Sequence, residues 1–173
     1  MRALLAELDY DFSCFTMEGF THWLEARRAR KILFVPRPMP ATLYGAWLAG
    51  ANCDYIFYEV DTPSIHQAHI QLHEMSHMLC GHSTARIGLQ EAQILLRQAA
   101  GPEPLAQRAD TALTRYESLL LRSTHSDEAE LEAETLTALI QEQVLRHARL
   151  RELTTVVSSD EDLAAYIKAM DLV

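Results

Sequence analysis

Residues 69–82 read HIQLHEMSHMLCGH and hold four of the eight histidines in the chain. Within this segment His73, Glu74 and His77 form the pattern H-E-x-x-H. Residues four apart on a helix lie on one face, so both imidazoles can direct a ring nitrogen at one metal ion. Glu74 is displaced by about 100° around the helix, which leaves its carboxyl free to take a proton from a metal-activated water. The pattern predicts a catalytic metal site, and a solvated polar face that happens to hold histidines is the alternative.

The residues around this pattern predict a helix with two distinct faces. Thr62 is expected as its N-cap with Pro63 at the first helical position, and Gly81 as its C-cap after Cys80. On a helical wheel four histidines fall within a sector of roughly 80°, and apolar residues fill the opposite side. The histidines are His66, His69, His73 and His77, and the apolar residues are Ala68, Leu72, Met75, Met78 and Leu79.

A catalytic zinc ion usually has three protein ligands, so a third ligand must come from elsewhere in the chain. The acidic run 126–134 contains Glu130 and Glu134, which are four residues apart and share a helix face. One could bind the metal while the other accepts the free N–H of a ligand histidine. An acidic helix N-terminus stabilised by the helix dipole explains the same residues equally well.

The remaining elements predict an α+β fold within a single domain, residues 1–173. We expect a small antiparallel sheet of about three strands, followed by the histidine helix and a helical C-terminal half. Residues 83–125 would form a helical insertion between the two ligand segments. The expected strands are 31–35, 42–49 and 53–60, and the other expected helices are 1–9, 16–30, 86–100, 105–121, 127–151 and a last helix from a Ser158-x-x-Glu161 capping box to about residue 170.

The composition excludes several classes of function. A net charge of −9 disfavours direct nucleic-acid binding, because nucleic-acid-binding surfaces are basic. Three cysteines without a C-x-x-C pair indicate neither a disulfide framework nor a zinc knuckle. No apolar run reaches the ~18–20 residues that cross a bilayer, and the N-terminus lacks signal-peptide features. We therefore expect a cytoplasmic protein without membrane contact, with its oligomeric state left open.

The downstream segment Glu130–Ile140, ELEAETLTALI, resembles the pattern E-x-E-A-(N/D)-x-F-A-A-x-L-L of the ImmA/IrrE metallopeptidases, which also carry H-E-x-x-H. The similarity covers about residues 42–82 and 123–145 and favours an actinobacterial-type branch of regulators and toxin-system components. It implies His73, His77 and Glu130 as ligands of one Zn²⁺, Glu74 as general base, and Glu134 as the carboxylate that holds a ligand histidine. Other divalent ions fit similar ligands.

The chain departs from this family pattern at three points. Glu134 replaces the usual aspartate or asparagine, and Thr137 replaces an alanine. The spacing between His77 and Glu130, 130 − 77 = 53 residues, exceeds that of compact members. Glu128, Glu132 and Glu134 therefore remain alternatives to Glu130 as the third ligand. Glu132 is the weakest of them, because it points away from the face that Glu130 and Glu134 share.

The resemblance implies a zinc metalloendopeptidase that cleaves a regulatory protein, such as a separate XRE-type helix-turn-helix repressor or an antitoxin. An edge of the sheet, residues 53–60, would hold the substrate by strand addition. The alternative is a metal-stabilised module of transcription regulation or of a toxin–antitoxin system, which docks on its partner without proteolysis. A third reading is hydrolysis of a substrate other than a peptide.

Four further histidines are candidates for the surroundings of the metal. His66 and His69 share the metal-binding face and could line a substrate cleft or simply be polar surface residues. His82 and His125 could lie near the site and stabilise an oxyanion. Their spacing alone does not fix their positions.

Overall fold

The computed structural model describes residues 1–39, 43–86 and 125–159. The described elements confirm the predicted α+β class, with a small sheet followed by two long helices. In chain order they are helix α1 (Arg2–Ala6), a 3-10 turn (Phe12–Cys14), helix α2 (Met17–Arg28), strands β1 (Lys31–Arg37), β2 (Gly45–Ala49) and β3 (Cys53–Glu59), and helices α3 (Ser64–Cys80) and α4 (Asp127–Ser159).

The three-stranded sheet has the order β1-β3-β2. It is mixed, whereas the sequence predicted a purely antiparallel sheet. β3 pairs with β2 antiparallel and with β1 parallel. Four consecutive β3 residues, 54–57, are buried, as suits a strand covered on both faces. Because β3 has a hydrogen-bonded strand on each side, it cannot accept a further strand. The expectation that residues 53–60 form an edge of the sheet is therefore wrong. The edges of the sheet are β1 and β2.

Helix α3 ends as predicted but begins differently. Gly81 has a positive φ of 75° and closes the helix in the left-handed conformation that glycine adopts without a steric cost. Pro63 occupies the N-cap position, without a side-chain cap. Thr62, expected as the cap, instead donates its hydroxyl to the Glu59 carbonyl oxygen at 3.3 Å. The apolar face of α3 joins the main core, where Leu72, Met75 and Met78 are buried.

Helix α4 packs its first half against α3. Ala133, Leu136 and Ile140 are fully buried, and the Thr137 hydroxyl lies 2.9 Å from that of Ser76 on α3. Because Thr137 makes this contact between the two helices, the departure from alanine at this position has a structural use.

The second half of α4 differs from the expected boundaries. The helix continues to Ser159 instead of ending near 151, so Ser158 lies within it rather than capping a new helix. Residues 152–157 contain no glycine or proline to stop it. The expected helices 86–100 and 105–121 and the last helix lie almost entirely outside the described residues. No helix of the described part of the chain is long and apolar enough to cross a membrane.

Two arginines, one at the last position of α2 and one just after it, bind one buried carboxylate. Asp54 on β3 is fully buried, and its two oxygens lie 3.1 Å from Nη2 of Arg28 and 3.1 Å from Nη2 of Arg30. Arg30 also donates to the Gly50 carbonyl oxygen at 2.7 Å. These bonds join the end of α2 to the turn between β2 and β3, so this basic cluster has a structural role.

Candidate metal centre

The packing of α4 on α3 brings His73, His77 and Glu130 together. The Nε2 atoms of His73 and His77 are 3.0 Å apart. The Glu130 carboxylate lies 3.1 Å from His73 Nε2 through Oε2 and 3.5 Å from His77 Nε2 through Oε1. Nitrogen and oxygen ligands bound tetrahedrally at about 2.0–2.1 Å would be roughly 3.3–3.4 Å apart. These three residues, the ligand set expected from the sequence, could therefore hold one metal ion.

The two sides of this donor set differ in exposure. The His77 side chain is 1% exposed, because the rings of His125 and His82 lie against it. The Glu130 side chain is 45% exposed, because it lies one turn from the start of α4. Burial is the main cause that lowers the pKa of His77 to about 3, and the neighbouring histidines lower it further. His77 is therefore neutral, which is the form of imidazole that binds metals.

Glu134 lies where the sequence expected a partner for a ligand histidine. Its Oε2 is 3.3 Å from Nδ1 of His73, on the side of the ring opposite the donor set. The same oxygen is 3.5 Å from Nε2 of His69, and the Gln141 side-chain amide lies 3.1 Å from Nδ1 of that ring. The glutamate thus reaches the histidine although the family pattern has a shorter side chain at this position.

His82 contacts the other ligand histidine from behind. Its Nδ1 lies 2.9 Å from Nδ1 of His77, and its Nε2 lies 3.0 Å from Oε2 of Glu132. His82 lines a separate cavity of about 500 Å³ beside Arg28 and Arg30. Glu132 is not a member of the donor set, in keeping with its place on another face of α4. Its contact with His82 could not be predicted from the spacing of residues within α4.

Glu74 is buried beside the donor set, with 6% of its surface exposed. Burial raises the pKa of its carboxyl to about 8, the charge of Glu130 adds to this, and a hydrogen bond from the Trp47 backbone N–H opposes it. Strand β2 approaches Glu74 so closely that a Cβ on Gly45 would lie 2.7 Å from Glu74 Oε1 and closer still to Ile70 Cγ2. The glycine at position 45 is therefore needed for this approach.

His125 stacks on the ring of His77, with centroids 3.8 Å apart and planes 19° apart. Its Nδ1 is 3.5 Å from Glu130 Oε1, and its Nε2 is buried without a hydrogen-bond partner in the described structure. Burial is the main cause that lowers the pKa of this imidazole, and Glu130 opposes the shift. The structure thus places His125 in contact with His77 and Glu130, whereas its position could not be predicted from the sequence.

A cleft of about 380 Å³ opens beside the donor set, and the edge strand β2 forms one wall. Ala49 donates its backbone N–H away from the sheet to Ala85 at 3.0 Å. Because such groups alternate along an antiparallel strand, Gly45 also directs its backbone groups away from β3. No sequence pattern indicated Tyr44, which lies edge-on to His66 with ring centroids 5.6 Å apart. Other lining residues include His66, His69, His73, Glu74, His125, Glu130 and Glu134.

Comparisons with known proteins do not place this chain in a family. No protein-family model, no curated protein and no solved structure matches it. The resemblance to the ImmA/IrrE metallopeptidases therefore stays a prediction, based on H-E-x-x-H and on residues 130–140.

Proposed function

We propose that this chain is a zinc-dependent metalloendopeptidase of the ImmA/IrrE type. The observation that carries the proposal is the convergence of His73 Nε2, His77 Nε2 and the two Glu130 carboxylate oxygens, at separations of 3.0–3.5 Å, beside the buried carboxyl of Glu74. Structural zinc sites usually have four protein ligands, whereas catalytic sites have three and leave one position open. Three donors beside an open cleft match the catalytic kind.

Imidazole nitrogen and carboxylate oxygen are ordinary ligands of Zn²⁺, so the residues present fit this ion. Zinc would supply a Lewis acid that polarises a carbonyl and lowers the pKa of a coordinated water to near 7. His73 and His77 would hold it from α3, and Glu130 from α4. Glu134 would orient His73 by accepting the N–H of Nδ1, at the 3.3 Å separation of these atoms.

Glu74 would transfer the proton in this reaction. Without a cation, burial and the charge of Glu130 favour its protonated form, as the pKa of about 8 indicates. A cation at the neighbouring donors favours the ionised form, because an opposite charge lowers the pKa of a carboxyl group. The ionised carboxylate can then accept a proton from the attacking water and return it to the leaving amine. The Trp47 backbone N–H would hold the carboxylate during both transfers.

The substrate chain would bind in extended form at the Gly45 end of the outer edge of β2. Farther along this edge the outward-facing backbone groups are already engaged: those of Trp47 by Glu74 and Thr84, and the N–H of Ala49 by Ala85. This strand replaces residues 53–60 as the proposed site of strand addition, because β3 has a neighbour on each side. Gly45 directs its backbone groups toward the cleft side of β2. Of the two oxyanion candidates, His125 lines this cleft, whereas His82 lines a separate cavity and has both ring nitrogens engaged.

The substrate class follows from the resemblance rather than from the cleft. It would be a regulatory protein of the cytoplasm, such as a separate XRE-type repressor or an antitoxin. Tyr44, His66 and His69 line the cleft and would contact the side chains that flank the cleaved bond.

The test is the metal content of the full chain after loading with zinc, measured by elemental analysis, followed by a cleavage assay on candidate repressors. We expect wild type and Glu74→Gln to retain one zinc ion per chain, and His77→Ala and Glu130→Ala to lose it. Only wild type and the control Glu142→Gln, which changes an exposed acid farther along α4, should cleave the repressor.

Two outcomes would contradict the proposal. A wild-type chain that takes up no zinc would exclude the proposed centre. Zinc uptake together with a repressor that wild type and Glu74→Gln bind equally well and leave intact would instead support the metal-stabilised binding module.

A further inference from the structure

Two hydrogen bonds in series lie behind His77, on the side away from the donor set. The first joins Nδ1 of His77 to Nδ1 of His82 at 2.9 Å, and the second joins Nε2 of His82 to Oε2 of Glu132 at 3.0 Å. The left-handed turn at Gly81 brings His82 back against α3, where its backbone N–H donates to the His77 carbonyl oxygen at 3.1 Å. This series of contacts is called the His77–His82–Glu132 relay below.

The order of the protons along this relay follows from the chemistry of its groups. An ionised carboxylate only accepts hydrogen bonds, so the Glu132 contact requires a proton on Nε2 of His82. A neutral imidazole carries one N–H, so Nδ1 of His82 is then an acceptor. The hydrogen of the first bond must therefore come from Nδ1 of His77, and the lone pair of this ring lies on Nε2. That atom is the one 3.0 Å from Nε2 of His73 in the donor set.

We propose that His82 and Glu132 are positioning residues that fix the metal-binding tautomer of His77. The inference rests on the metal site of the proposed function and deepens it. Histidine ligands commonly donate their second N–H directly to a carboxylate or carbonyl group. His73 has such a direct carboxylate neighbour in Glu134, whereas His77 reaches its carboxylate through a second imidazole.

The surroundings of the relay favour this role over a purely structural one. The Glu132 side chain is 44% exposed, so its contact with His82 contributes little to folding. His82, by contrast, is only 11% exposed, and its two ring nitrogens contact His77 and Glu132. What this arrangement determines is the position of the proton on each ring.

The first test measures the tautomers of the histidine rings by ¹⁵N-detected NMR in the full chain, without metal and then with zinc. We expect the proton of His77 on Nδ1 and that of His82 on Nε2 in both states. In Glu132→Lys the ammonium can only donate, so both protons should move to the opposite ring nitrogens. In Glu132→Gln the amide oxygen can still accept, so the wild-type tautomers should persist.

The second test measures the dissociation constant for Zn²⁺ by competition with a chelator. Glu132→Lys and His82→Phe should bind zinc about 10- to 100-fold more weakly than wild type. His82→Asn places an amide oxygen near the position of Nδ1 and should restore most of the affinity. Glu142→Lys is the control, because it makes the same charge change about 15 Å farther along α4.

A proton on Nε2 of His77 in the wild-type chain would overturn the inference, as would unchanged tautomers in Glu132→Lys. Equal zinc affinities for His82→Phe and His82→Asn would also overturn it. If wild type took up no zinc at all, the proposed function would fail, while the tautomers of the metal-free chain would still decide whether the relay exists.

Discussion

Asp54 and Glu74 are both buried carboxylic acids in this fold, but their surroundings are opposite. Asp54 is fully buried and lies 3.1 Å from each of two guanidinium groups, those of Arg28 and Arg30. Glu74 is 6% exposed, and its charged neighbour is a second carboxylate, Glu130. No lysine or arginine among the described residues forms an ion pair with Glu74.

The difference separates a structural carboxylate from one that is suited to chemistry. Where the fold only needs to join α2 to the sheet, the chain supplies its own cations. Beside the paired histidines no described lysine or arginine pairs with Glu74, and the pKa of Glu74 rises to about 8 through burial and the charge of Glu130. Strongly shifted pKa values of this kind are typical of functional sites. A metal ion at the neighbouring donors would place a positive charge beside this carboxyl group.

The largest expected effect is on catalysis by Glu74. Glu74→Gln should retain zinc but lower the rate of repressor cleavage by about 10²- to 10⁴-fold, because the amide cannot accept the proton of the attacking water. The measurement is the cleavage rate per bound zinc ion. A rate close to that of wild type would assign the proton transfer to another group.

The next effect is on stability, where the substitution of Asp54 should matter more than that of Glu74. Asp54→Asn should lower the free energy of unfolding by about 3 kcal/mol, because it leaves two partly buried guanidinium groups without their carboxylate. Glu74→Gln should change it by less than about 1 kcal/mol, since Glu74 is already protonated at neutral pH in the metal-free chain. Urea denaturation measures both values, with the exposed Asp61→Asn as control. Equal losses would show that the two carboxyl groups do not differ as described.

Zinc should stabilise the chain through the same centre. At a free concentration 100 times its dissociation constant, zinc should raise the free energy of unfolding by about 2.7 kcal/mol. His77→Ala and Glu130→Ala should show no such increase. Thermal or urea unfolding with and without zinc measures it, and an equal increase in the two variants would locate the binding site elsewhere.

The smallest of these effects concerns the approach of β2 to α3. Gly45→Ala should cost about 2 kcal/mol, because the added methyl group would overlap Ile70 and Glu74. It should also slow cleavage by displacing the Glu74 carboxyl group. Urea denaturation and the cleavage assay measure the two effects, and a variant of wild-type stability would show that β2 can move away from α3 without cost.

Much of the candidate site could be predicted from helical geometry. The spacing of His73, Glu74 and His77 fixes their directions once the helix is assigned, and the α+β class followed from the order of the elements. Helical geometry does not select Glu130 over the neighbouring glutamates, because an acidic helix N-terminus explains the same sequence. Only the packing of α4 against α3 brings Glu130 to within 3.1 Å of His73.

The contacts that could not be predicted all join residues far apart in the chain. In the sequence Asp54 is only a charged residue in a strand, and its burial could not be predicted. That burial depends on Arg28 and Arg30, which lie at and just beyond the end of α2. The central position of β3 depends on its parallel pairing with β1, although β2 lies between these two strands in the chain, and hydrophobic periodicity does not indicate this pairing. Glu132 and His82 are 50 residues apart, and their contact requires both the turn at Gly81 and the packing of α4.

The turn at Gly81 determines how much of this chain would have to be moved to transfer its two candidate ligand histidines to another protein. The five residues of H-E-x-x-H would carry two imidazoles and one carboxyl group, but nothing behind His77. Because Gly81 returns the chain so that His82 contacts His77 at 2.9 Å, the shortest segment that carries both His77 and the ring behind it is residues 73–82, and Glu132 must still come from α4. A graft of this unit must therefore preserve the end of its helix as well as the helix itself.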